Sequence, residues 1–301
     1  MKTLLVLLGP TGVGKTDLSL SIAEALTTSI VNADSRQLYR DIPIGTAAPT
    51  PQQLARVPHH FVGILPLDEY YSAARFEEEA LNVLQREFET HDVVLLSGGS
   101  MLYLDAVCKG IDDIPTVRPD VRQRMRQRLA DEGLTALAAE LTRLDPTYAA
   151  EADLCNPKRV VHALEIITQS GRTYSSFRTG KAKHRPFRIL KIGLDRPREE
   201  LFSRINNRVD AMLADGLLDE VRRVYPLRHL NALNTVGYKE LFLHLSGEWT
   251  LPFALDKIRR NTRVYAKKQL TWFRRDDSIT WFHPDDVNHI KAHIRSALAA
   301  E

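Results

Sequence analysis

Leu4 to Leu8 is an unbroken apolar run, the pattern of a strand buried on both faces. It runs straight into Gly9-Pro10-Thr11-Gly12-Val13-Gly14-Lys15-Thr16, and an amphipathic stretch over Lys15 to Leu26 predicts a helix. Ser29 to Ala33 predicts a second short strand ending at Asp34. Phe76 to Glu89 predicts a helix with Ala80, Leu81, Leu84 and Phe88 at apolar positions. Val93 to Leu96 is again continuously apolar and is followed by Ser97-Gly98-Gly99-Ser100, whose two glycines permit close approach of a ligand or another backbone, with an ordinary tight turn as the plainer reading. Strand and helix in alternation predict an α/β fold, a P-loop-type parallel sheet flanked by helices. In such sheets a ligand lies beyond the carboxyl ends of the strands. Three segments should therefore converge there: the glycine-rich loop, Asp34-Ser35-Arg36-Gln37, and Gly98-Gly99-Ser100.

From about Asp113 the pattern changes. Arg118, Arg122, Arg124, Arg126 and Arg128 fall close together, and helical periodicity follows without strand signals until about Phe187. One helix has both ends marked: Asn156 as its cap, Pro157 at its first position and Gly171 as its stop. Arg188 to Leu194 and Ser278 to Phe282 read as strands. The expected organisation is an α/β core over 1–112 and 187–301, with a helical insertion domain over 113–186.

Composition adds bounds. The chain has 301 residues, 44% hydrophobic and 26% charged, with a net charge of +3. That suits one large globular domain or two smaller ones. Cys108 and Cys155 have no metal-ligand spacing and define no disulfide framework. No run reaches membrane-spanning length, and the phosphate-loop pattern stands where a signal-peptide cleavage site would fall. A cytoplasmic protein without membrane association or an obligate protein partner is expected. His59-His60 lacks a third ligand at a recognisable spacing.

The segment Gly9–Thr16 carries the strongest chemistry. It matches G-x-x-x-x-G-K-[ST] in its required setting, strand before and helix after. Glycines let the backbone N–H groups face one point, and the helix N-terminus adds partial positive charge. Lys15 adds a full charge, and Thr16 offers a hydroxyl to Mg²⁺. A di- or triphosphate is the expected ligand. Asp34 admits two readings, a helix cap or Mg²⁺-associated carboxylate, and a general base beside the phosphates. Gln37 could hydrogen-bond a base edge. No acid ends the strand Val93–Leu96, which counts against an ATPase motor. Lys257 to Arg275 holds eight cations and no acid, a run suited to phosphate contact. Arg259, Arg263 and Lys267 share one helical face. Trp272 and Trp281 suit core packing better than stacking on bases.

These segments resemble, in order, those of the bacterial tRNA dimethylallyltransferases (isopentenyl-tRNA transferases). The matching stretches are Gly9–Thr16, Asp34–Tyr39, Ile44–Ala47 and Gly98-to-Tyr103. Further on come Arg208 with Met212, Gly216–Val221, Val236–Glu240 and Thr262–Phe273. The resemblance implies transfer of a dimethylallyl group from dimethylallyl diphosphate to N6 of adenosine 37 of tRNA, beside the anticodon. It implies Asp34 and Ser100 as catalytic residues, with Asp34 the base. It assigns Gly9, Pro10, Thr11, Gly12, Val13, Gly14, Lys15, Thr16 and Arg208 to the diphosphate, with Mg²⁺ at Thr16. For tRNA it implies contacts from Asp34, Ser35, Arg36, Gln37, Ser100, Arg122, Lys158, Arg159, Lys239 and Arg263, the insertion clamping the anticodon stem-loop. Ser100 stands where the family generally has Thr, and Ala48, His162 and Lys268 replace a usual Lys, Arg and Arg. Two rival readings are a small-molecule or nucleotide kinase with an arginine-rich lid, which leaves the 257–275 cations unexplained, and a nucleotide-gated RNA-binding module, which leaves Asp34 without a task.

Overall fold

The computed structural model describes residues 1–300. Two compact units are present: Met1–Lys109 together with the chain from His184 onward, and Gly110–Lys183. The larger unit begins with β1 (Thr3–Leu8), α1 (Lys15–Leu26), β2 (Ile30–Ala33), α2 (Pro43–Thr46) and α3 (Pro51–Arg56). It continues with β3 (His59–His60), α4 (Ala73–Thr90), β4 (Val93–Gly98) and α5 (Met101–Lys109). The smaller unit holds α6 (Pro119–Leu144), α7 (Pro146–Glu151) and α8 (Pro157–Ser170). The chain then returns to the larger unit with β5 (Arg188–Leu194), α9 (Arg198–Ala214), α10 (Leu217–Val224), α11 (Tyr238–Leu245), α12 (Leu251–Phe273), β6 (Ile279–Phe282) and α13 (Val287–Ala299).

The six strands form one parallel sheet in the order β3-β2-β4-β1-β5-β6. Central β1 is buried along its whole length, as its apolar run requires. Its residues alternate between faces: Leu4, Val6 and Leu8 join a core with Phe76, Leu104, Val221, Leu241 and Ile258. Leu5 and Leu7 join another with Leu18, Ile22, Ile205 and Ile290. Leu8 is in register with Gly98 on one side and Gly193 on the other. The carboxyl ends of three strands are thus level, and the loops that leave them share one edge.

The strand expected over Val93–Leu96 runs two residues further: Ser97 and Gly98 extend β4, and Gly98 pairs with Ala33, the close backbone approach that a glycine permits, with no tight turn there. The missing side chain permits this, since a Cβ on Gly98 would lie 2.3 Å from the Ala33 carbonyl oxygen. His59-His60, weighed only as metal ligands, is the short edge strand β3.

In the smaller unit α6 breaks at Gly133, whose φ of 78° is left-handed. Its core is Met125, Leu137, Leu141, Tyr148, Val160, Ala163 and Leu164. Asn156 caps α8 by accepting the N–H groups of Lys158 and Arg159 (3.1 and 3.4 Å), and Gly171 ends it with φ 69°. The two chain segments that enter and leave this unit are tied together. Asp112 accepts the N–H and hydroxyl of Thr179 (2.8 and 2.7 Å) and the N–H of Gly180 (3.1 Å), and Lys183 pairs with Asp113 at 2.8 Å. In the larger unit, Arg185 donates to the Ala106 and Val107 carbonyls at the end of α5 (2.7 and 2.8 Å) and pairs with buried Glu77. No helix among the described residues is long and apolar enough to cross a membrane.

Candidate functional site

The loop Gly9–Gly14 curls at the end of β1, with Gly12 and Gly14 at φ 82° and 109°, conformations that only glycine adopts without strain. Lys15 opens α1 and folds back, its ammonium donating to the Gly9 and Pro10 carbonyls at 2.9 Å each. Burial of that ammonium lowers its pKa to about 8; the carboxylate of Asp34 opposes the shift and the charge of Arg208 adds to it. Thr16 follows in the first turn of α1, partly exposed.

Other elements brace this loop. Arg208 on α9 donates to the Thr11 hydroxyl at 3.2 Å. Arg204 donates to the Gly12 carbonyl at 3.1 Å, and buried Arg196 to the Val13 carbonyl at 2.9 Å. The rest of the Arg196 guanidinium pairs with Glu200 and Asp285, and His283 lies against the same two carboxylates (3.3 and 3.7 Å). Glu200, His283 and Asp285 bring three metal-type ligand atoms together, but the Arg196 guanidinium already neutralises the two carboxylates. Gln269 on α12, almost fully buried, accepts the Thr11 N–H at 2.9 Å and donates to the Gly99 carbonyl at 2.7 Å. It links the loop to the end of β4.

That end of β4 connects in turn to Asp34. The Ser100 N–H donates to the Ala33 carbonyl (3.1 Å), and the Ser100 hydroxyl accepts the Ser35 N–H (2.8 Å). Asp34 accepts the N–H groups of Arg36 (2.9 Å) and Gln37 (3.4 Å) through a single oxygen, Oδ1. The turn 34–37 is thereby fixed while Oδ2 stays outside that pair of bonds. Tyr265 lies close enough to feel both Asp34 and Arg36; burial first and Asp34 second push its phenol up to about 12.

Several expected site residues are engaged within the protein. The Gln37 amide donates to the carbonyls of Thr46 and Ala47 (3.1 and 2.9 Å), bonds in which its oxygen takes no part. Arg36 donates to the Asn231 and Ala232 carbonyls. Arg263 donates to Asn206 at 2.7 Å and lies over Phe202, as do Arg198 and Lys267. The cation run 257–275 is also less one-sided than its sequence. Arg259 pairs with Asp210 of α9 and with Asp256, and Arg274 pairs with Asp195. Trp272 donates to Asp105 and packs on the core.

Lys239 is exposed in the first turn of α11. Beside it, buried Glu240 accepts the Gly237 N–H and an Asn261 amide hydrogen, which fixes the start of that helix. In the smaller unit Lys158 and Arg159 are exposed in the first turn of α8, and Arg122 stands 3.8 Å from buried Glu165, which His162 also approaches at 3.3 Å. The residues that sequence reasoning missed are Gln269, Arg196 and Arg204. Each acts on the loop from far along the chain; Gln269 lies within the matching stretch Thr262–Phe273, but nothing in the sequence singles it out there.

The fold and site define a phosphate-loop protein in which the glycine-rich loop and the Asp34 carboxylate share one sheet edge. The chain belongs to the IPP transferase family, whose model matches residues 37–276. It is 64% identical over 294 residues to tRNA dimethylallyltransferase 1 of Phocaeicola vulgatus, covering 98% of both chains. It is 62% identical over 295 residues to tRNA dimethylallyltransferase 1 of Bacteroides thetaiotaomicron, covering 98% of this chain and 96% of that one. Among solved structures it is similar to the full-length tRNA isopentenylpyrophosphate transferase of Bacillus halodurans (TM-score 0.72, 34% identity, 98% and 96% covered). It is also similar to a eukaryotic dimethylallyltransferase acting on tRNA (TM-score 0.77, 27% identity, 91% and 70% covered).

Proposed function

We propose that the chain transfers a dimethylallyl group from dimethylallyl diphosphate to N6 of adenosine 37 in tRNA. The observation that carries this reading is the hydrogen-bonded path from the loop through Gln269, Gly99 and Ser100 to the Asp34 turn. It sets an anion cradle and a carboxylate in fixed relation, as a displacement between an allylic diphosphate and an amine requires. The loop N–H groups, Lys15 and Arg208 hold the diphosphate and stabilise the charge it gains on leaving. The N6–carbon bond forms, the carbon–oxygen bond breaks, and Asp34 takes the N6 proton through its outer oxygen. Ser100 positions the Asp34 turn and keeps its own hydroxyl hydrogen for the nucleotide.

Thr16 fits a Mg²⁺ that also binds the diphosphate, since its hydroxyl and the phosphate oxygens are hard ligands. Such an ion would supply further charge neutralisation for the leaving group. Adenine N6 must be unstacked to be reached. Ser35, Arg36, Lys239 and Arg263 in the larger unit, and Arg122, Lys158 and Arg159 in the smaller, supply donors for the RNA, and the Gln37 oxygen supplies an acceptor.

The test is incubation of the protein with dimethylallyl diphosphate, Mg²⁺ and an anticodon stem-loop bearing adenosine at position 37. Mass spectrometry should find prenylated adenosine and released diphosphate. No prenylated product, together with γ-phosphate transfer from ATP, would replace this reading with that of a kinase.

A further inference from the structure

We infer that Arg196 is a positioning residue for the reaction: it draws the Val13 carbonyl outwards and so presents the Gly14 N–H to the diphosphate, a conclusion that rests on the diphosphate reading above. No peptide bond among the described residues is cis, so the carbonyl and N–H of one peptide unit point in opposite directions. The Val13 carbonyl accepts Arg196 Nε at 2.9 Å. The Gly14 N–H of the same unit therefore points away from Arg196, and no group among the described residues accepts it. The preceding unit differs. Arg204 holds the Gly12 carbonyl at 3.1 Å, but the Val13 N–H opposite is spent on the Pro10 carbonyl at 3.3 Å. Of the two arginines, only Arg196 orients a unit whose N–H is open to a ligand.

Arg196 is itself held by the far side of the sheet. It stands two residues after β5, and His283 directly follows β6, strands that pair Leu194 with Phe282. The Asp195 N–H donates to the Phe282 carbonyl at 3.1 Å, which carries that pairing one residue further. Asp285 accepts both guanidinium ends, Nη1 at 3.0 Å and Nη2 at 2.5 Å, a bidentate pair. Glu200, in the first turn of α9, also accepts Nη1. With Nε on Val13 the planar group is fixed on every side, and its side chain is only 4% exposed. It cannot turn without breaking several of these bonds.

Charge alone makes a different prediction. Arg196, Glu200 and Asp285 together carry one net negative charge, so the cluster as a whole does not attract an anion. Neutral residues at all three positions would remove that charge, and Coulomb attraction to a diphosphate would then rise. Orientation of the Val13–Gly14 unit by Arg196 requires that binding fall instead.

The experiment titrates the full chain with inorganic diphosphate and Mg²⁺ by calorimetry, and with the anticodon stem-loop by filter binding. It compares wild type, Arg196→Met, and a triple variant that adds Glu200→Gln and Asp285→Asn. Both variants should bind diphosphate roughly tenfold or more weakly, the worth of one N–H bond to a charged oxygen, with stem-loop affinity near wild type. Should Arg196→Met fail to fold, Arg196→Lys keeps a cation for Glu200 and Asp285 and is read in the same way. A triple variant that binds diphosphate as tightly as wild type, or more tightly, would overturn the role of Arg196. So would an unchanged diphosphate affinity beside a lowered melting temperature, the mark of a merely structural arginine, and so would an equal loss of both affinities. In each of those outcomes wild type still binds diphosphate, and the diphosphate reading stands. Failure of wild type to bind it would overturn both.

Discussion

Glu220 on α10 accepts the phenolic hydrogen of Tyr238 on α11, and the same carboxylate takes the N–H groups of Ile44 and Gly45 at 2.8 Å each. All three donors end on one buried side chain, so α2 is fixed to the two helices that follow α9. Burial and the neighbouring negative charge drive the Tyr238 pKa far above its ordinary range, so the phenol remains a donor.

Tyr238→Phe leaves part of the buried Glu220 carboxylate unsatisfied and should lower stability by about 1–3 kcal/mol. Gly45→Ala should destabilise as well, because its Cβ would lie 2.3 Å from the Tyr238 hydroxyl oxygen. Urea unfolding of the two single variants and the double variant measures both effects and their coupling. Wild-type midpoints in both would show that α2 is not held through this pair.

Asp34→Asn keeps an oxygen for the Arg36 and Gln37 N–H groups but is no longer a base. It should lower kcat by roughly a hundredfold or more while diphosphate affinity and melting temperature stay near wild type. Single-turnover prenylation of the stem-loop supplies the rate. A wild-type rate would leave Asp34 only its role in the turn.

Lys15 predicts a specific pH dependence. Its folded pKa of about 8 lies below the ordinary 10.5, so the charged amine is disfavoured in the unliganded fold. Between those values the unfolded chain binds more protons, and stability rises with pH across that window. The cost is fully present below it. A bound diphosphate favours the ammonium, so its affinity should fall above about pH 8 relative to Lys15→Arg, whose guanidinium stays charged. Calorimetry of both proteins from roughly pH 7 to 9.5, a range that brackets the shifted value of about 8, reads the difference. Parallel curves would mean that the ammonium does not meet the anion.

Neutralising Arg122 and Arg159 together should weaken stem-loop binding and flatten its dependence on salt. The slope of log K against log salt should fall by about 1–2, one phosphate contact for each arginine lost. Filter binding from low to moderate salt measures it. An unchanged slope would free the smaller unit from contact with the RNA backbone.

What the sequence made legible is local. An apolar run beside a glycine loop, and Asn156, Pro157 and Gly171 around α8, are determined by neighbours a few residues away, and the structure has these elements in place. What it hid is set by partners far along the chain. The 257–275 cations look unbalanced because Asp195 and Asp210 come from other elements. β3 escapes notice because two residues cannot show a period, and its pairing depends on β2. Gln269 reads as one more polar position on a basic helix. Only the fold brings it to Thr11 and Gly99, whose backbone groups carry no sequence signature.

The neck of the smaller unit makes that unit portable. Asp112 and Asp113 tie the incoming segment to Thr179, Gly180 and Lys183. Arg185 independently fastens the resumed chain to the last turn of α5. Each unit thus closes over its own cut ends, with entry and exit side by side. A short loop should therefore be able to replace residues 110–183 without unthreading the sheet, while the excised piece keeps its own clasp.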